Sequence, residues 1–145
     1  MEGRFESHSP DDTAHIAREL FASLPDSGHG AVIALFGGLG AGKTHFAEAL
    51  ARAAGYTGEC GSPTYTLVHE YREDGRLLMA HFDMYRVSGH DDVETTGYYD
   101  YLDGGCLMAV EWSENIEPLL PAGTITVRME RGEDDDCRHI TLGRR

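Results

Sequence analysis

Lysine is almost missing from this chain: eleven of its twelve basic residues are arginine, and the one lysine is Lys43. Basic residues are themselves scarce beside 25 acidic ones, which leaves a formal net charge of -13. A protein that grips nucleic acid unaided presents a basic face to neutralise phosphates. Here the arginines are scattered and the acidic groups gather at 130–136. Direct nucleic-acid binding is therefore excluded as a main role, and any RNA in the process must be held by something else. Cysteine is sparse too. Cys60, Cys106 and Cys137 are odd in number and form no CxxC pair, which argues for reduced thiols against disulfides or zinc. Long apolar runs are absent: stretches such as 31–36 and 106–110 fall far short of a membrane span. The first residues carry no apolar core of a secretory signal. These absences predict a soluble, cytoplasmic protein with no membrane partner. A length of 145 residues suits one domain, 1–145, around one core.

What is present is ordered. Ser9-Pro10-Asp11-Asp12 reads as a helix start, with Ser9 capping, Pro10 at the first helical position and Asp12 completing a capping box. Ile16, Ala17, Leu20, Phe21 and Leu24 then recur at helical spacing up to Pro25. The apolar run 31–36 predicts a strand buried on both faces. A glycine-rich loop follows, then a helix over 43–54 closed by Gly55. Segments 64–71 and 76–83 predict strands joined at Asp74-Gly75, a hairpin signal. Residues 91–102 are polar, tyrosine-rich and helical in part. A buried strand is predicted over 106–111, a short helix over 114–120, and a closing hairpin from 124–130 and 138–142. The sum is an α/β chain: a three-layer sandwich like those of the P-loop NTPases, with a mixed central sheet.

The glycine-rich loop carries the chemistry. Gly37-Gly38-Leu39-Gly40-Ala41-Gly42-Lys43-Thr44 matches G-x-x-x-x-G-K-[ST]. Its glycines let successive N–H groups turn toward phosphate oxygens, and the helix that follows aims its positive end at the same point. Lys43 supplies a compact cation for the β- and γ-phosphates, and Thr44 a hydroxyl for Mg2+. Such a loop needs an acidic partner for the metal at the end of a neighbouring strand. Two carboxylates qualify: Asp83 ends 77–82 and Glu111 ends 106–110, both apolar. One would hold Mg2+ and the other orient the attacking water, and spacing alone does not say which is which. His45, His69 and His81 lack metal-ligand spacing. His81 and Asp83 lie two apart on one strand face, which suits a hydrogen-bonded structural role for the histidine. Tyr98, Tyr99 and Tyr101 read as packing residues.

In order along the chain, GGLGAGKT, SPTYTLV, HFDMYR and VEW closely resemble the TsaE (YjeE) family, over roughly residues 13–142. The P-loop is generic, whereas the second and third motifs in this spacing are specific. The resemblance implies an ATPase of tRNA threonylcarbamoyladenosine formation, slow without its partners TsaB and TsaD, with tRNA reached only through them. It implies ATP held by Gly38, Leu39, Gly40, Ala41, Gly42, Lys43, Thr44 and His45, with Thr64 in a switch-like segment and Trp112 beside the nucleotide. It further implies Thr44 and Glu111 as Mg2+ ligands and Asp83 as the catalytic carboxylate. The chain departs from the family at Gly38, His45 and Cys60-Gly61, none of which removes a phosphate or metal contact.

Two other functions compete. A small-molecule kinase shares the P-loop but needs a lid of several basic residues, for which only Arg72, Arg76 and Arg86 offer themselves. A nucleotide-dependent adaptor, holding its partners together without hydrolysis, uses the same binding residues. GTP selectivity by an N-K-x-D segment is excluded, since no second lysine exists.

Overall fold

The protein was analysed as a computed structural model, which describes residues 1–60 and 67–145. Seven strands form one mixed sheet: β1 (Gly3–Ser7), β2 (Val32–Phe36), β3 (Val68–Glu73), β4 (Arg76–Asp83), β5 (Leu107–Glu111), β6 (Ile125–Arg131) and β7 (Arg138–Arg144). Their spatial order is β1-β7-β6-β2-β5-β4-β3. The four central strands β6, β2, β5 and β4 run parallel, while β3, β7 and β1 join antiparallel at the two sides.

Strand β2 explains why its sequence is apolar without alternation. Ile33 and Leu35 face one core cluster, and Val32, Ala34 and Phe36 face the other. A strand buried on both sides has no solvent face on which a polar residue would be tolerated. The first cluster is covered by α1 (Pro10–Ser23) and α2 (Lys43–Ala53), which contribute Ile16, Leu20, Phe46 and Leu50. The second lies under α3 (Gly89–Glu94) and α4 (Tyr98–Gly104), through Val93 and Tyr98. Helices on both faces make the predicted three layers. Among the described residues no helix is long and apolar enough to cross a membrane.

Leu20 is only 1% exposed between α1 and the sheet. Leu20→Ala is expected to cost about 2–5 kcal/mol, the lost burial plus the cavity left behind. A drop in the urea midpoint at unchanged slope would report it.

Local chemistry sets most boundaries. The Ser9 hydroxyl accepts the Asp12 N–H at 3.0 Å, with Pro10 opening α1. The Asp12 carboxylate accepts the N–H of His8 at 2.9 Å, one residue earlier than a reciprocal capping box requires. Asp74 and Gly75 both have positive φ, 50° and 79°, the backbone of a tight hairpin turn. Tyr98 and Tyr101 pack edge-on against Phe82, as packing residues should.

Three differences from the sequence reading stand out. Strand β1 was not expected at all. The stretch expected as a helix over 114–120 is two 3₁₀ turns, Ser113–Asn115 and Glu117–Leu119. Pro118 lies within the second, where it has no N–H to continue a helix. The strand expected from 64 is described only as β3 from Val68, because 61–66 fall outside the described residues.

Candidate phosphate and metal site

The parallel strands β2, β4 and β5 all end at one edge of the sheet, where open α/β sheets gather ligands. The loop 37–42 leaves β2 there and turns into α2. Gly37 is needed at its start: its φ is 147°, and a Cβ would sit 2.4 Å from the carbonyl oxygen of Met129 on β6. Gly42 caps α2 with φ 99°. Across the loop, the Arg138 guanidinium donates to the carbonyl oxygens of Gly40 and Ala41, both at 3.1 Å. Two of the loop's carbonyl oxygens are thereby engaged by an arginine.

Lys43 is 5% exposed. Its ammonium donates to the Gly37 carbonyl and lies 3.4 Å from the centre of the Trp112 ring. Burial lowers its pKa from the usual lysine value, outweighing the raising influence of Glu114, Glu111 and Asp83. Trp112 takes up this position with a left-handed backbone, φ 56°, immediately after β5. A non-glycine residue held there is strained, and the Tyr85 ring packs against it with ring centres 5.0 Å apart.

The two carboxylates are register partners, Asp83 on β4 opposite Glu111 on β5. They nonetheless have different surroundings. Glu111 is 6% exposed, and the Thr44 hydroxyl donates to its two oxygens at 3.0 Å each. The His81 Nε2 lies 2.5 Å from Oε2 of the same group. His81 is in turn stacked on Tyr71, their rings 6.4 Å apart and 20° from parallel. Asp83 is exposed and accepts the N–H of Tyr85 at 3.0 Å. So one carboxylate is buried and oriented from two sides, and the other is exposed at the rim.

The structure thus brings Lys43, Thr44, Glu111, Asp83 and Trp112 to one edge of the sheet. Gly38 and Leu39 form the outer turn of the loop, Leu39 being 77% exposed. His45 points to the opposite flank, with Nε2 2.8 Å from the Pro10 carbonyl oxygen. There it borders a hollow of about 310 Å³ shared with Gly42, Thr13 and Arg138. A second hollow, about 440 Å³, lies on the other flank against Gly37, Glu114 and Arg131. Thr64 lies outside the described residues. The histidine reading holds only in part: His81 is hydrogen-bonded, as expected, but to Glu111 itself, so it helps to build the site. Arg138 and Glu114 escaped the sequence reading because neither sits in a motif. Their contacts to the loop come from 77 positions away for Glu114 and 97 or more for Arg138, and only the folded sheet reveals them. Arg72, one of the cations considered for a lid, is on edge strand β3 and pairs with Glu70 at 3.0 Å.

The chain is similar to known proteins over nearly its whole length. A family model described as "Threonylcarbamoyl adenosine biosynthesis protein TsaE" matches residues 7–140. The tRNA threonylcarbamoyladenosine biosynthesis protein TsaE of Bacillus subtilis is 37% identical over 139 residues, covering 96% of this chain and 84% of that one. The protein of the same name from Treponema pallidum is 35% identical, covering 96% of this chain and 98% of its own. A crystal structure of YdiB from Bacillus subtilis superposes with a TM-score of 0.75 at 32% identity, over 98% of this chain and 84% of that one.

Proposed function

The chain belongs to the TsaE family of tRNA threonylcarbamoyladenosine biosynthesis proteins, and from that premise we propose that it binds and hydrolyses Mg-ATP to drive or reset a TsaB–TsaD complex in the cytoplasm. The observation that carries this reading is the contact between the Thr44 hydroxyl and the Glu111 carboxylate, 3.0 Å apart at the foot of the phosphate loop. Paired hard oxygen donors suit Mg2+, which prefers few protein ligands and keeps the rest for water and phosphate.

Roles follow from the surroundings. Loop N–H groups and Lys43 bind the phosphates, for which Lys43 exchanges its place over the Trp112 ring and the Gly37 carbonyl. Thr44 and Glu111 hold Mg2+, with His81 fixing the Glu111 carboxylate in plane. When bound, the metal neutralises charge on the β- and γ-phosphate oxygens. Asp83, exposed at the rim and one strand over, orients the attacking water and accepts its proton. The hollow beside Gly42 and His45 takes the nucleoside. A net charge of -13 suits docking on proteins while the tRNA stays with them.

Because the Lys43 ammonium lies on the Trp112 face, phosphate binding should change indole fluorescence. Titration with ATP is expected to saturate that signal in Mg2+. Removal of the metal with EDTA should weaken binding at least about tenfold, since metal coordination of phosphate oxygens is worth several kcal/mol. Phosphate release should depend on Mg2+ and rise when TsaB and TsaD are added. ATP binding that ignores EDTA would remove Thr44 and Glu111 from the metal site.

A further inference from the structure

Glu114 is a carboxylate in an unusual place. It sits in the turn Ser113–Asn115 that follows the strained Trp112, and its Oε2 accepts the N–H of Gly37 at 2.9 Å. A backbone N–H at the mouth of an anion-binding loop is thereby occupied by the chain's own negative group. The turn holding it is well anchored. Asn115 Nδ2 donates to the carbonyl oxygens of Met84 at 2.7 Å and Tyr85 at 3.1 Å, and the Ser113 hydroxyl donates to Val110 at 2.8 Å. The carboxylate also borders the hollow of about 440 Å³ beside the loop. Among the acidic groups acting on the Lys43 ammonium, Glu114 exerts the largest influence, ahead of Glu111 and Asp83.

We infer that Glu114 sets which nucleotide the site prefers, by holding a fixed negative charge against the first residue of the phosphate loop. This rests on the ATP reading above. A triphosphate brings more charge than a diphosphate, and brings it to Lys43, the cation that Glu114 already attends. Repulsion from Glu114 is therefore greater for ATP than for ADP. The consequence is a site that holds spent nucleotide nearly as firmly as fresh nucleotide, so that exchange, rather than affinity, determines its state. None of Glu111, Asp83 and Thr44 can play this part, because each has a position to fill around the metal or the water. Glu114 needs only its charge and its hydrogen bond to Gly37.

Glu114→Gln keeps an oxygen for the Gly37 N–H and removes the charge. Affinities for Mg-ATP and Mg-ADP are measured by calorimetry on the full chain, for wild type, Glu114→Gln and Glu117→Gln. Glu117 is three residues on and is paired with Arg128 at 3.7 Å, so it controls for a general loss of surface charge. The ratio of ATP to ADP affinity is expected to rise about tenfold in Glu114→Gln and to stay unchanged in Glu117→Gln, and high salt should narrow the gap by raising the wild-type ratio. A ratio within twofold of wild type in Glu114→Gln, with both nucleotides still binding, overturns the inference and leaves the ATP reading intact. An equal rise in Glu117→Gln overturns it as well. If wild type binds neither nucleotide, the ATP reading itself fails and this inference falls with it.

Discussion

Lys43→Ala is expected to remove nucleotide binding at working concentrations and with it every turnover the protein supports. On the ATP reading the ammonium serves two phosphates from a nearly buried position, and charge-assisted hydrogen bonds of that kind are worth about 1.5–3 kcal/mol each. Losing them should weaken ATP by about 10²-fold or more, and the hydrolytic step by a further 10²–10³ where the same group steadies the transition state. No other lysine exists to substitute. The fold should survive the change. Burial lowers the Lys43 pKa, so the unfolded chain binds that proton more tightly than the folded one. The ammonium therefore costs the folded state stability below the folded pKa, and that cost disappears as pH rises toward the ordinary lysine value. Alanine has no such cost to bear, although it forfeits the contacts to Gly37 and Trp112. The measurement is repeated tRNA modification by TsaB and TsaD, with wild type, with Lys43→Ala and with neither, alongside ATP titration and a thermal melt. Full modification with the alanine variant would make the P-loop dispensable and sink the ATPase reading.

Much of this site could be read along the chain because its parts are local. The P-loop is eight consecutive residues, and β2 before it and α2 after it announce themselves by an apolar run and helical spacing. Asp83 and Glu111 each end a strand, so their direction is set by the strand itself, and the parallel pairing of β4 with β5 then brings them opposite one another. The difference between them was not legible. Both follow an apolar run, and what separates a buried Glu111 from an exposed Asp83 is the approach of Thr44 and His81 from other elements.

Strand β1 was illegible for a different reason. Gly3–Ser7 is a charged, largely exposed edge strand whose partner is β7. An edge strand with solvent on most sides carries little hydrophobic alternation to detect. The Gly37 requirement shows the same limit. Its glycine could be predicted from the loop pattern, but the obstacle to any side chain is the Met129 carbonyl on β6, which no spacing encodes. Sheet order, more than propensity, is what sequence reading lacked.

Asp83→Asn is expected to separate binding from hydrolysis, and so to decide between a motor and an adaptor. The side chain is exposed and, among the described residues, accepts the N–H of Tyr85 at 3.0 Å. Asparagine keeps an oxygen for that N–H and nearly the same shape, so the fold and the phosphate cradle should be untouched. ATP affinity should stay within a few-fold of wild type, with a slight gain from the lost negative charge. What disappears is the ability to take a proton from water, a contribution of about 10²–10⁴ to the rate. Phosphate release should fall by that factor while Trp112 still reports a bound nucleotide. If TsaB and TsaD then stall after a first round of modification, hydrolysis is the step that resets them. If they continue at the wild-type rate with hydrolysis stopped, bound ATP alone suffices and the protein is an adaptor. If phosphate release itself is unchanged, Asp83 is not the catalytic carboxylate.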